Sequence, residues 1–201
     1  MTGSNPAVPD VERDLLVVEA LASDLKPYLT GKTLYWPLSP LHRPNQPLPP
    51  GTLGGVLFRV HRLRGLDDQL DDAQRIRLYE SVTLIDENLG LYAELADAKM
   101  LREVKSRLNG WSRYLEEVTA APRQYESEYA TQAKERTVLA FLFEAIGDST
   151  ERRIQQERLE RADARLRLIL DTKPFIWHES LAGAFPEDRF WWLYGWPRYG
   201  M

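Results

Sequence analysis

DDAQRIRLYESVTLIDENLGLYAELADAKMLREVKSRLNGWSRYLEEV (residues 71–118) holds no proline, and its apolar residues return every third or fourth place. Leu78, Val82, Ile85, Leu89, Tyr92 and Ala96 step in this way, and Leu101, Val104, Leu108, Trp111, Leu115 and Val118 do the same. That spacing turns one face of an α-helix toward a core. A single straight helix over 71–118 would measure about 72 Å at ~1.5 Å per residue. A compact chain of this length has a radius of gyration of only about 16 to 17 Å. Something must bend or protrude, and Gly90 and Gly110 are the two places that offer a bend.

Working outward, Pro122 suits the first turn of a new helix and marks a reversal. Gly147 can end that helix, and Asp148, with Glu151 three residues on, can open the next. Gly147 lies about as far from the reversal as Gly90 does. A break at Gly90 then gives four antiparallel segments, a bundle core over 71–171. Within it VLAFLFEAI (138–146) is apolar nearly all round, which asks for burial on several sides. The last segment carries a narrow stripe at Ile154, Leu159, Ala162, Leu166 and Ile169. Its acids precede bases by four, at Asp148–Arg152, Glu157–Arg161 and Asp163–Arg167, each pair worth roughly 0.2–0.5 kcal/mol on an exposed helix.

Upstream, Asp10 can cap an N-terminal helix over 10–27 with a stripe at Val11, Leu15, Val18, Ala22 and Leu25, which Pro27 should end. Residues 33–51 hold six of the thirteen prolines and form an extended connector. Residues 52–65 read as a short basic helix between a Thr52 cap and a Gly65 stop, with Arg59, His61, Arg62 and Arg64 around an apolar face. The whole, 1–201, is expected to be a single all-α domain: an antiparallel helical bundle of about four core segments plus one or two N-terminal helices, capped by irregular proline- and aromatic-rich segments.

The aromatic material is concentrated at the two irregular segments. PFIWHESLAGAFPEDRFWWLYGWPRYGM (174–201) contains four of the six tryptophans, and a fifth, Trp36, stands beside Tyr35 in the connector. Covering one large apolar side chain is worth about 1.5–3 kcal/mol. Six or more rings in water would forfeit on the order of ten kcal/mol, comparable with the net stability of a domain. The tail is therefore expected to fold back over the helices and to meet Tyr35 and Trp36. The competing reading keeps some rings as a patch for a partner or ligand.

The remaining composition narrows the function classes. With 26 bases against 30 acids, the net charge of −4 gives no global pull toward nucleic acid or anionic lipid. No cysteine is present, so disulfides and thiolate chemistry are excluded, and a reducing, cytoplasmic setting fits. Neither LLVVEALA nor VLAFLF is long enough to span a bilayer. No dinucleotide fingerprint, Walker loop or zincin motif occurs. GTLGG (51–55) resembles a phosphate cradle but lacks its lysine, and reads instead as a helix start. His42, His61 and His178 sit in separate segments without ligand spacing, so no metal or other cofactor is assigned. Glu80, Glu87 and Glu94 recur every seven residues, as a solvated helix face does.

No catalytic residue can be nominated. The leading expectation is a protein–protein interaction or scaffolding module that engages another chain, a second copy included, through an aromatic-rich face. The alternative is a pocket for a small hydrophobic or anionic ligand between bundle and cap, where Arg59, Arg62, His178 and Tyr194 would be the groups to watch. A third, weaker reading has the 59–64 stretch touching nucleic acid. The candidate binding residues are Arg59, Arg62, Arg64, Trp36, His178, Trp191, Trp192, Tyr194 and Trp196.

Overall fold

The computed structural model describes residues 8–39, 47–121 and 125–197. It is an all-α structure in which helices pack on helices. They are α1 (Val11–Ser23), α2 (Leu25–Thr30), α3 (Leu53–Gly65), α4 (Asp72–Leu91), α5 (Ala93–Ala120), α6 (Tyr129–Ala145) and α7 (Thr150–Ile169). Two short strands, β1 (Leu170–Thr172) and β2 (Gly195–Pro197), pair antiparallel. Two compact units result: Asp10–Glu103, and the chain from Val104 onward. Helix α5 gives its residues through Glu103 to the first and the rest to the second.

The first unit is built around α1. Asp10 caps it by accepting from the Arg13 N–H at 2.9 Å. Its burial is wider than one stripe: Leu15, Leu16, Val17, Val18, Ala20, Leu21 and Ala22 are all buried, against α3 and α4. Arg77 of α4 clamps it, donating through Nε to Glu19 at 2.6 Å and through Nη1 to Glu12 at 3.0 Å. Hydrogen bonds to Glu19 first, and then to Glu12, hold the Arg77 guanidinium above its ordinary pKa. Pro27 does not end the helix. Asp24 interrupts it, and Pro27 then sits in the first turn of α2, where its missing N–H costs no bond.

Trp36 is covered inside this unit. Its ring meets Tyr28 edge-on at 6.1 Å, its Nε1 donates to Asp24 at 3.0 Å, and its backbone pairs with Gly51. His42 and the middle of the connector lie outside the described residues, as does Pro122. Thr52 caps α3 as its sequence suggests, accepting from the Gly55 N–H at 3.0 Å.

The long central stretch is interrupted once, at Tyr92, two residues past Gly90. Its φ of −120° and ψ of 36° leave the helical region. The ladder still closes around it, Tyr92 N–H to Asn88 O and Ala96 N–H to Tyr92 O, each at 2.9 Å. Gly110 lies inside unbroken α5. Within its unit α4 packs mainly on α1 and also meets α2.

In the second unit α6 is enclosed as its composition demands, with Val138, Leu139, Phe141, Leu142, Phe143 and Ile146 buried. The cap of α7 is Ser149, accepting from the Arg152 N–H at 3.1 Å, and not Asp148, which pairs with Arg153 at 3.0 Å. The expected Asp163–Arg167 pair is replaced. Asp163 instead receives both arms of Arg136 from α6, at 2.8 and 2.6 Å. Ile154 leaves the expected buried stripe and is exposed, while Gln155 is buried in its place.

Two glycine substitutions test this geometry. A Cβ at Gly110 would meet nothing within 4 Å. Gly110→Ala is therefore expected to stabilise the protein by about 0.5–1 kcal/mol, the cost of glycine in a helix interior, read as a higher urea midpoint. A Cβ at Gly195 would lie 2.5 Å from Leu170 Cγ across the β1–β2 pair. Gly195→Ala should lower stability by about 1–3 kcal/mol, read in the same denaturation.

Candidate functional site

The basic stretch is turned inward. Asp14, 3% exposed on α1, accepts from Arg62 Nε at 2.6 Å, with a second Arg62 contact through Nη2, and forms an ion pair with Arg59, whose Nε lies 3.3 Å away. Arg59 Nη1 also donates to Gly55 O at 2.8 Å, and the Arg62 guanidinium lies 5.0 Å from the centre of the Phe58 ring. Arg64 is exposed. The acids downstream serve Arg75, which reaches Asp72 at 2.9 Å and Asp67 at 3.4 Å. Two arginines held by one buried carboxylate form an internal tie, with their anion already supplied.

The phosphate-like GTLGG start is filled from within as well. The Glu103 carboxylate of α5 accepts from the Gly54 N–H at 3.0 Å, at the N-terminus of α3. A helix start attracts an anion, and here the anion is a side chain of the same unit. Beside it in sequence, Lys99 is buried and donates to Gly31 O at 2.7 Å and Thr33 O at 2.9 Å, anchoring the beginning of the connector.

The C-terminal aromatics are set on α6 and α7 one by one. Trp192 donates through Nε1 to Thr137 Oγ1 at 3.0 Å, and its ring lies under the Arg136 guanidinium at 3.8 Å. Arg167 stands 3.7 Å over Trp191. Trp196 meets Tyr129 edge-on at 5.4 Å, and Tyr129 continues through Tyr114 to Trp111 as a buried aromatic run. Tyr194 donates its hydroxyl to Phe185 O at 2.8 Å. His178 uses Nδ1 to accept from the Ser180 N–H at 3.3 Å, closing a 3-10 turn. Cation–π and edge-to-face contacts of this kind fix both the rings and the arginines. Trp36, Arg59, Arg62 and Arg64 belong to the first unit, and His178, Trp191, Trp192, Tyr194 and Trp196 to the second. Among the described residues, no group of three or more His, Asp or Glu could hold a metal ion, and no helix is long and apolar enough to cross a membrane.

What stands open lies elsewhere, on helix faces that the sequence reading passed over. On α4, Ile76 (58%) and Leu91 (77%) are exposed, with Leu84 between them and Glu80 and Glu87 on the same side. On α7, Ile154 (47%) and Leu168 (81%) bracket Arg158, Arg161 and Arg165. Between α5 and α7 runs an open groove of about 450 Å³, its lining including Leu115, Glu116, Thr119, Arg165, Leu168 and Ile169. Arg158 and Arg161 line its continuation. The signal was present in the sequence. Ile76, Leu84, Leu91 and Leu168 are apolar residues that fall off the stripe of their own helix.

Compared with family models, with curated proteins and with solved structures, the chain shows no match.

Tyr129 gives a pH test of the tail's attachment. Its hydroxyl donates to Trp192 O at 2.6 Å, and burial, followed by the neighbouring Tyr114 and Asp163, pushes its pKa well above the ordinary value near 10. Above pH 10 the unfolded chain releases this proton and the folded one retains it. Folding stability should therefore fall as pH rises past 10, by up to about 1.4 kcal/mol per pH unit from this group. Urea midpoints from pH 8 to 11 check this. Tyr129→Phe should start from a lower midpoint, having lost the bond to Trp192 O, and decline less steeply.

Proposed function

We propose that the chain is a protein–protein interaction module, and that its binding surfaces are the outer faces of α4 and α7. One observation carries the reading. Leu91 and Leu168 are more exposed than any other large apolar side chain described. Leu91 stands beside Glu87 and Glu94, and Leu168 on a mainly basic stripe that also has Glu157 on it and Glu116 across the groove. Scattered surface leucines need no explanation. A leucine at each end of a charged helical stripe is the pattern of a recognition face with apolar anchors and polar specificity.

The aromatic tail supports this reading in another way. Its Trp192, Trp196 and Tyr194 are engaged with α6 and with the tail itself, so the tail secures the scaffold on which α7 is displayed.

A second reading has one observation in its favour. The α5–α7 groove falls within the roughly 300–1,000 Å³ of small-molecule sites and carries Arg165, loosely paired with Glu116 at 3.6 Å, beside apolar walls. A long-chain carboxylate would match that chemistry. Calorimetric titration with laurate tests it: saturable binding lost in Arg165→Ala supports a ligand pocket, and no heat disposes of it.

The interaction reading is tested by photo-crosslinking. Benzoyl-phenylalanine replacing Leu91 or Leu168, in cells that make the protein, should yield discrete adducts with protein. The same residue at exposed Asp68 should not. No adduct from either leucine position would overturn the reading.

A further inference from the structure

We infer that the partner is a second copy of this chain: α4 of one copy lies on the α5–α7 face of another. This rests on the interaction reading above and names its occupant.

The two faces match in length, order and charge. On α4, Ile76, Glu80, Leu84, Glu87 and Leu91 present apolar ends around an acidic centre. On α7, Ile154, Arg158, Arg161, Arg165 and Leu168 present apolar ends around a basic centre. Steps of three and four keep each set on one side of its helix. At ~1.5 Å per residue the apolar ends are separated by about 22 Å on α4 and about 21 Å on α7. The groove beside α7 supplies the depth in which a helix ridge can seat.

The α4 set has no free cation on its own helix, and the α7 set keeps an excess of positive charge over Glu157, which stands four residues before Arg161. Five acids and no base lie between Arg77 and Lys99, and Arg77, three residues before Glu80, is taken by Glu19 and Glu12. Arg158 donates to Gln155 Oε1 at 2.8 Å and Asn109 Oδ1 at 2.9 Å, which are neutral amides and leave its charge uncompensated. Arg165 has only Glu116, at 3.6 Å with both side chains largely exposed, a pair of little worth that a closer carboxylate can replace.

Because the two faces differ, the contact is heterologous: each copy offers an acidic face to one neighbour and a basic face to another. A stripe of this length is small beside the ~800 Å² per partner of a standard interface. The association should therefore be micromolar and weakened by salt.

Sedimentation velocity of the full chain from 1 to 200 µM tests the inference. Mass is expected to rise with concentration at 50 mM salt and to fall back at 500 mM. The paired substitutions Glu80→Arg/Glu87→Arg and Arg161→Glu/Arg165→Glu should each give a monomer with unchanged circular dichroism. An equimolar mixture of the two variants should associate again, because the unaltered α7 of the first fits the unaltered α4 of the second and the two reversed faces also fit each other. That rescue also shows that the unaltered face of each variant is intact. A wild-type chain that stays monomeric to 200 µM, or a mixture that fails to reassociate, overturns the inference. Failure here together with crosslinks from Leu91 to a different protein would leave the interaction reading standing and remove only the self-partner.

Discussion

Helix α6 is apolar around most of its circumference, and a helix of that kind has to be enclosed. Its single buried charge shows how the enclosure is achieved. Arg136 is 7% exposed, donates through Nε and Nη2 to Asp163 of α7, and stands over the Trp192 ring of the tail. One guanidinium thus joins three segments that are distant in sequence. The tail is then held by Trp192 on Thr137 and by Tyr129 on the Trp192 carbonyl. Without these attachments Phe141, Leu142 and Phe143 would lack a wall, and α7 would lack the support from which its outer face projects.

The first unit meets a similar demand with the signs exchanged. There a buried carboxylate, Asp14, gathers Arg59 and Arg62, while Glu103 occupies the start of α3. Burying a charge is costly unless a partner and hydrogen bonds offset it, so both units spend their charged groups on internal ties. Glu80 and Glu87 of α4 and Arg161 of α7 stand outside such ties, beside the exposed Leu91 and Leu168.

Much of the helical layout was legible from residues 71–118 and from the capping residues Asp10 and Thr52, because caps and periodicity act over a few residues. Sequence spacing was less reliable for ion pairs. Asp163 could pair with Arg167 four places on, but Arg136 arrives from another helix with two hydrogen bonds, and Arg167 turns to Trp191. The same limit applied to Arg59 and Arg62, whose acid lies some forty-five residues away on α1. The apolar residues outside the main stripes, Leu91 and Leu168, were visible in the sequence but carried no meaning until their exposure was known.

Sequence alone determined that this is a helical protein, where α1 and α3 begin, that its 138–146 segment is enclosed and that its terminal rings need cover. Those properties follow from local capping, from the 3.6-residue period and from the cost of apolar surface in water, which act whatever the fold. Tertiary structure alone decided which groups satisfy those needs: α1 as the partner of α4, Tyr28 over Trp36, Arg136 over Trp192, and Asp14 between two arginines. Each of these is a choice among chemically equivalent partners, and only the folded path of the chain sets which one comes within reach.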